Sequence, residues 1–459
     1  MFLALVVISI VAILLNKQYA LFIWMLSSLM IPSFVRIYPI PVSYELILAF
    51  FLFVYSIYHR INYGVKGSYK TMEKWVVFFP LYYILIRIIF TFLCGFYKPS
   101  DILVQSYYNV LFLSVMVFSV WTITDEKAFG RAGRYISIAL ILVCIYGVST
   151  YILHNNPYLS FLSKFTGNTK DFVGIAERYA SETRGGLASR ISVLTYNPLQ
   201  YAILLNAFVF VPIYLYVKKK SNVYLFAVIL ILINLFLTGS RGPLIALLAS
   251  VLFFFLKYQS LSSKIKYVAL IVGALVLILF LPGFEKYASF IKSIIFIFDQ
   301  SVSDAAEISG SSVSGRFLQL SGVWDIIVSV DLRILLFGYG EGYTEYYLSL
   351  YGFGTDVMGF ESILFSSLVN YGIIGFLLID VFPWIFLIYC IRHLKKENMI
   401  SKKNSYILSS MLATNIIYSF LVGSVYYIIY FSIFFCLMKQ MVMENRKERI
   451  KSLIMLLQK

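Results

Sequence analysis

NLFLTGSRGPLIAL, residues Asn234–Leu247, is two apolar blocks joined at Gly239-Ser240-Arg241-Gly242. Glycine before and proline just after this junction read as a tight turn followed by a new helix. The apolar residues run on in both directions, and the pattern recurs along the whole chain. Of 459 residues, 60% are apolar and only 13% charged, which excludes an ordinary soluble domain. There are about thirteen apolar blocks, each long enough or nearly so to cross a hydrocarbon core, which takes roughly twenty helical residues. Backbone in lipid must satisfy its own hydrogen bonds, so blocks of this length are helices. The expected fold is an all-α polytopic membrane protein with about thirteen transmembrane helices and two long extracytoplasmic loops.

The net charge of +16 does not indicate nucleic acid, because the basic residues sit in short loops between apolar blocks. Cys94, Cys144, Cys390 and Cys436 all lie inside apolar blocks, and their spacing fits neither a zinc site nor a disulfide framework. The opening MFLALVVISIVAILL has no basic leader and no small-residue cleavage site, so it reads as a retained helix.

Loop charge sets the topology. Short loops rich in Lys and Arg stay in the cytoplasm. Arg60, Lys66, Lys70 and Lys74 form one, Lys127, Arg131 and Arg134 another, followed by Lys218–Lys220, Lys257–Lys266 and Arg392–Lys403. The basic tail, 439–459, is expected inside as well, its end suited to lie on the inner leaflet. The remaining loops fall outside. The long ones are 154–198 and 282–360, the second expected to carry short helices. From Asp299 to Asp356 the second is acid-rich, which agrees with that side. Chemistry is therefore expected at the outer leaflet.

Three stretches carry candidate chemistry. In the first, Arg241 stands at the start of a helix, where a guanidinium fork and free backbone amides both suit an anion such as phosphate. The second is SGRFLQLSGVWDIIVSVDLRILLFGYGEG, Ser314–Gly342. Arg316 opens a pattern in which Phe317, Leu320, Trp324 and Ile327 recur at helical spacing. The helix is expected to break near Asp331, ahead of the turn Gly338–Gly342. The third is FESILFSSLVNYGIIG, Phe360–Gly375, with Glu361 leading a helix interrupted at Gly372. Tyr339, Tyr343, Tyr346, Tyr347 and Tyr351 offer aromatic faces for a glycan. Arg87 and Asp380 lie within spans, at similar depth. Intramembrane charges are usually paired or functional, and these two are expected to pair with each other or line a lipid groove.

Taken together, these stretches resemble the O-antigen polymerase and ligase superfamily. The resemblance covers about Arg190 to Gly375. It rests on the Gly-Ser-Arg-Gly turn, on Gly315-Arg316 followed by Trp324 and the Gly338–Gly342 turn, on Glu361 with the Gly372–Gly375 segment, and on Arg190 with Asn197-Pro198. A histidine is usual in the ligases where Glu361 stands, whereas polymerases vary there and can carry an acid. The proline common before the glycine turn is absent, with Asp331 and Leu332 in that region.

The resemblance implies a glycosyltransferase of the bacterial cytoplasmic (inner) membrane that polymerises undecaprenyl-diphosphate-linked oligosaccharide units into a surface polysaccharide such as O-antigen or capsule. A ligase passing glycan to another acceptor is the alternative, and a lipid-linked glycan transporter a more distant one. Its implied partners are the lipid-linked donor and acceptor, membrane lipid and a chain-length regulator protein. Such a reaction needs cations on the departing diphosphate and a base for the acceptor hydroxyl. Glu361, Arg241 and Arg316 are the expected catalytic residues. Arg190, Asn197, Trp324, Tyr339, Tyr343 and Arg87 are the expected substrate-binding ones. No metal or other cofactor is expected.

The orientation has a direct check. A cysteine placed at Ser303 should react with an impermeant thiol reagent on spheroplasts, and one placed at Ser221 should not. The opposite pattern would invert the topology.

Overall fold

In the computed structural model the described residues are 2–15, 19–30, 36–37, 42–63, 70–93, 109, 113–114, 126–163, 174, 190–195, 197–258, 313–328, 331–351, 360, 362–422 and 427–457. The apolar blocks among them are helical. The helices are α1 (Phe2–Leu15), α2 (Tyr19–Met30), α3 (Tyr44–Tyr63), α4 (Lys70–Leu93), α5 (Glu126–Leu153), α6 (Pro157–Ser163), α7 (Pro198–Phe208), α8 (Phe210–Lys219) and α9 (Asn222–Leu237). They continue with α10 (Arg241–Tyr258), α11 (Val313–Val328), α12 (Leu332–Phe337), α13 (Tyr343–Tyr351), α14 (Ile363–Phe376), α15 (Phe382–Lys396), α16 (Lys402–Leu421) and α17 (Tyr427–Leu457). A two-residue antiparallel pairing, Arg36–Ile37 with Val42–Ser43, precedes α3. The chain is an all-α polytopic membrane protein. Among the described residues, Lys74–Leu93, Phe129–Leu153, Pro198–Lys219 and Ile363–Lys396 are long and apolar enough to cross a membrane, and shorter apolar helices such as Asn222–Leu237 accompany them. The expected total of about thirteen spans also rests on stretches such as 259–312, which lie outside the described residues.

Helices in lipid gain little from apolar contact with one another, so close packing and interhelical hydrogen bonds hold them. Asn234 of α9 is such a link. Its side chain donates to the Cys144 carbonyl of α5 at 3.0 Å and accepts from the Tyr201 hydroxyl of α7 at 3.1 Å. Gly147 leaves the room this amide occupies. At one end of the bundle, Lys218 pairs with Glu444, Lys403 donates to the Val217 carbonyl at 3.2 Å, and Asn445 donates to the Asn398 carbonyl at 2.6 Å. Three basic segments expected on one side thus meet at one end. The first residues of the stretch 439–459 pack against the bundle. Lys439, Gln440 and Glu444 are buried within α17, and the exposed stretch starts at Arg446.

The second long loop does not stand clear of the spans. Its α12 packs on α14, and Arg333 donates to the Leu93 carbonyl at the end of α4. The expected break near Asp331 and the interruption at Gly372 are both present, and they interlock. Gly372 adopts φ 65° and ψ −171° inside α14. That break frees carbonyls in an apolar setting, and the glycine turn supplies amides for them. Tyr339 N–H donates to the Val369 carbonyl at 3.0 Å, and Gly340 N–H to the Asn370 carbonyl at 2.8 Å. The Asn370 side chain accepts from the Thr344 N–H at 3.2 Å. A Cβ on Gly338 would lie 2.5 Å from the Asn370 carbonyl, and one on Gly372 would lie 2.5 Å from the Gly338 nitrogen. Further on, Pro383 has no N–H for the helix ladder. There the chain widens into a π-turn, Leu377–Val381, whose Leu378 carbonyl takes the Tyr82 hydroxyl at 2.9 Å.

Gly372→Ala combines a left-handed φ with a backbone overlap, so it should destabilise by about 3 kcal/mol or more. Gly130→Ala, where the new methyl meets nothing within 4 Å, should be neutral or mildly stabilising. Thermal unfolding in detergent checks both. Equal midpoints would show that the interlock is not tight.

Candidate functional site

The turn between α9 and α10 forms as expected. Gly239 takes φ 63°, and α10 starts at Arg241. Arg190 approaches this turn from the end of the first long loop. Its Nε donates to the Thr238 carbonyl at 3.0 Å and one terminal nitrogen donates to the Ser240 hydroxyl at 3.3 Å. The Ile191 N–H donates to the Leu237 carbonyl at 3.3 Å. A Cβ on Gly239 would come within 3.2 Å of Arg190 Nε, so the glycine serves both the turn and this approach. Arg190 and Arg241 are both buried, at 6% and 5% exposure. Charge interactions are stronger away from water. Asn197 caps α7, its side chain accepting from the Leu199 N–H at 2.8 Å. Its role in the structure is that of a cap.

The end of α16 joins this turn to the third motif. A Cβ on Gly242 would meet Leu421 Cβ at 3.2 Å and Val422 at 3.3 Å. Ser419 and Val422 also receive the start of α14. The Ser362 hydroxyl donates to the Ser419 carbonyl at 3.1 Å, and the Ile363 N–H to the Val422 carbonyl at 3.0 Å. The arginine turn and the residues that follow Glu361 therefore share one seat. Glu361 itself lies outside the described residues. Arg316 falls in α11, but its side chain also lies outside them.

The helical period expected after Arg316 is present, with its buried edge rotated. Gln319, Val323 and Ile327 face inward, while Phe317, Leu320 and Trp324 are exposed. Trp324 thus stands on the open face of α11. Tyr339 and Tyr343 lie ring on ring, with centroids 3.9 Å apart and planes at 5°. The Tyr339 hydroxyl donates to the Ile326 carbonyl at 3.2 Å. Burial pushes the Tyr343 phenol up to about 12, with the Tyr339 phenol adding to the effect, and burial raises Tyr339 too. Both rings are therefore neutral near pH 7 and offer apolar faces with polar rims.

The expected pairing of Arg87 with Asp380 is corrected. Arg87 forms its ion pair with Glu341 at 2.7 Å, and the Tyr371 hydroxyl accepts from Nε at 3.3 Å and from Nη2 at 3.2 Å. Asp380 stands within electrostatic reach, near Ser367. The glycines on both sides of Glu341 carry its side chain toward α4, whereas Asp380 projects from the widened turn. Glu341 and Tyr371 were missed as site residues. The Gly-Glu-Gly spacing was a usable signal, since a charged residue between glycines is poor hinge material. Among the described residues no three His, Cys, Asp or Glu side chains gather as a metal site.

The fold is a polytopic helical bundle that carries an arginine-bearing turn, a glycine turn and an interrupted span. Residues 226–379 match the family model described as O-antigen ligase, and this match supports a relation to the O-antigen polymerase and ligase superfamily. That segment holds Arg241, Arg316, Trp324, Tyr339, Tyr343 and Glu361. Arg87 and Arg190 come from outside it and are brought to it by the fold, through Glu341 and through Thr238 and Ser240, while Asn197, also outside it, caps α7. No curated protein matches the chain.

The Arg87–Glu341 pair should show coupling in a double-mutant cycle. Arg87→Met leaves a partly buried carboxylate without its cation, and Arg87→Met with Glu341→Gln should recover part of the loss. A coupling energy of about 1–3 kcal/mol is expected from thermal or denaturant unfolding. Strict additivity would show that the pair contributes nothing.

Proposed function

We propose that this protein is a polymerase that joins undecaprenyl-diphosphate-linked oligosaccharide units on the outer face of the bacterial cytoplasmic membrane. The observation that carries the reading is the shared seat at the end of α16. It holds the Arg241 turn on one side and the start of α14, directly after Glu361, on the other.

The acceptor hydroxyl oxygen attacks the anomeric carbon of the donor. The bond from that carbon to the diphosphate oxygen breaks, and its electron pair stays on the diphosphate. Arg241 and Arg316 stabilise that charge, helped by the amides at the start of α10. Arg190 keeps the turn in shape through Thr238 and Ser240, and its positive charge adds to the same field. The proton of the acceptor hydroxyl passes to Glu361. A carboxylate among apolar neighbours such as Phe360, Ile363 and Leu364 is a suitable base. The leaving group needs no separate acid, and no step calls for a metal.

The ligase reading is favoured by the description of the matching family. Glu361, in place of the histidine usual in ligases, supports the polymerase. Deletion of the gene separates the two on a glycan gel. Single capped units would support the polymerase, and full ladders retained on the carrier lipid would support the ligase. A chain-length regulator is the proposed protein partner, and co-purification tests it.

Arg241→Ala and Arg316→Ala should abolish polymer at normal protein levels, and lysine at either place should restore only part. Glu361→Gln should keep substrate binding and lose transfer, while Glu361→Asp should retain some. The assay is purified protein with lipid-linked units in EDTA. A fully active Glu361→Gln variant would remove the base from this mechanism.

A further inference from the structure

The mechanism above makes no use of the Arg87–Glu341 pair. Both side chains remain about a fifth exposed, at 21% and 22%, so the pair is open on one side. Two carboxylate oxygens near it have no donor among the described residues. Glu341 Oε1 takes the Arg87 Nη2 proton at 2.7 Å, while Oε2 is shielded and accepts nothing among the described residues. Asp380, only 4% exposed, likewise has its Oδ2 shielded and without a donor there. A buried carboxylate oxygen is rarely left in this state without a ligand or functional cause.

Charge decides what kind of ligand fits. One guanidinium faces two carboxyl groups, and the nearer is already in contact with it. A diphosphate would bring further negative charge to a cation that is neutralised. A neutral ligand rich in O–H groups would supply the missing donors. Glu341 also lies two residues from Tyr339 and two from Tyr343, the stacked pair. A turn that carries both aromatic rings and a carboxylate suits a sugar, which offers C–H groups on its face and hydroxyls at its rim.

We propose that Glu341, held in place by Arg87, binds hydroxyl groups of the acceptor glycan, and that Arg87 is a positioning residue rather than a diphosphate ligand. This rests on the reading of the chain as a glycan-transferring enzyme. The two carboxylates then have separate tasks: Glu361 takes the proton, and Glu341 holds the sugar.

The test uses the full-length protein in nanodiscs and two probes. One is the lipid-free oligosaccharide unit released from the host's own surface polysaccharide, and the other is farnesyl diphosphate. Binding of each is measured by competition in saturation-transfer NMR. Glu341→Gln should weaken the oligosaccharide about tenfold, the effect of losing a charge-assisted hydrogen bond, and leave farnesyl diphosphate unchanged. Glu341→Asp keeps the charge opposite Arg87 and withdraws the carboxylate, and should weaken the oligosaccharide likewise. Arg87→Lys should leave farnesyl diphosphate affinity unchanged. Wild-type oligosaccharide affinity in both Glu341 variants would overturn the proposal, as would loss of farnesyl diphosphate binding in Arg87→Lys. Failure of the polymerase reading is seen elsewhere, as full glycan ladders after deletion of the gene.

Discussion

A helix interrupted inside an apolar layer exposes carbonyls that lipid cannot satisfy. The break at Gly372 is answered by Tyr339 and Gly340, whose amides take the Val369 and Asn370 carbonyls. This requirement organises the region around it. The glycine turn must reach α14 closely enough to donate, so Gly338 and Gly372 meet backbone to backbone. The turn then delivers Glu341 to Arg87 and sets Tyr339 against Tyr343. An interrupted span and a loop that folds back upon it are one structural unit.

Two groups of charge result, and their chemistry differs. At the Gly-Ser-Arg-Gly turn, buried arginines gather at a helix start, where backbone amides reinforce attraction for an anion. Beside α4, the guanidinium is balanced by carboxylates, and two carboxylate oxygens have no donor among the described residues. In the proposed reaction, donor diphosphate and acceptor sugar would differ in the same sense.

The motifs were legible because each has a local cause. Gly239 before Arg241 marks a turn and a helix start, and the structure has both. Gly372 within an apolar run marks a break, and it is there. The period of α11 was also readable, but its orientation was not. Gln319, Val323 and Ile327 are buried, while Phe317, Leu320 and Trp324 are exposed. In a soluble helix the most apolar stripe turns inward. The buried edge of α11 is set instead by the elements it packs on, α12 and α14, so hydrophobicity alone does not say which face meets protein. The tail, too, packs in a way its charge does not announce. Lys439 and Glu444 look like cytoplasmic residues, yet both are buried, and Glu444 pairs with Lys218.

Local sequence determined that the chain would be a bundle of membrane helices, where its turns would fall and which residue types could do chemistry. These follow from hydropathy and backbone preference, which act over a few residues. Tertiary structure alone decided the partners. Arg87 and Asp380 sit at similar depth in their spans, and depth suggested that they pair. The fold instead presents Glu341 to Arg87, from a turn some 250 residues away in sequence (254 positions). Arg190 reaches its turn across 48 positions, and Ser362 reaches Ser419 across 57. An ion pair depends on atomic separation, and that is set by how helices pack, which no local pattern encodes.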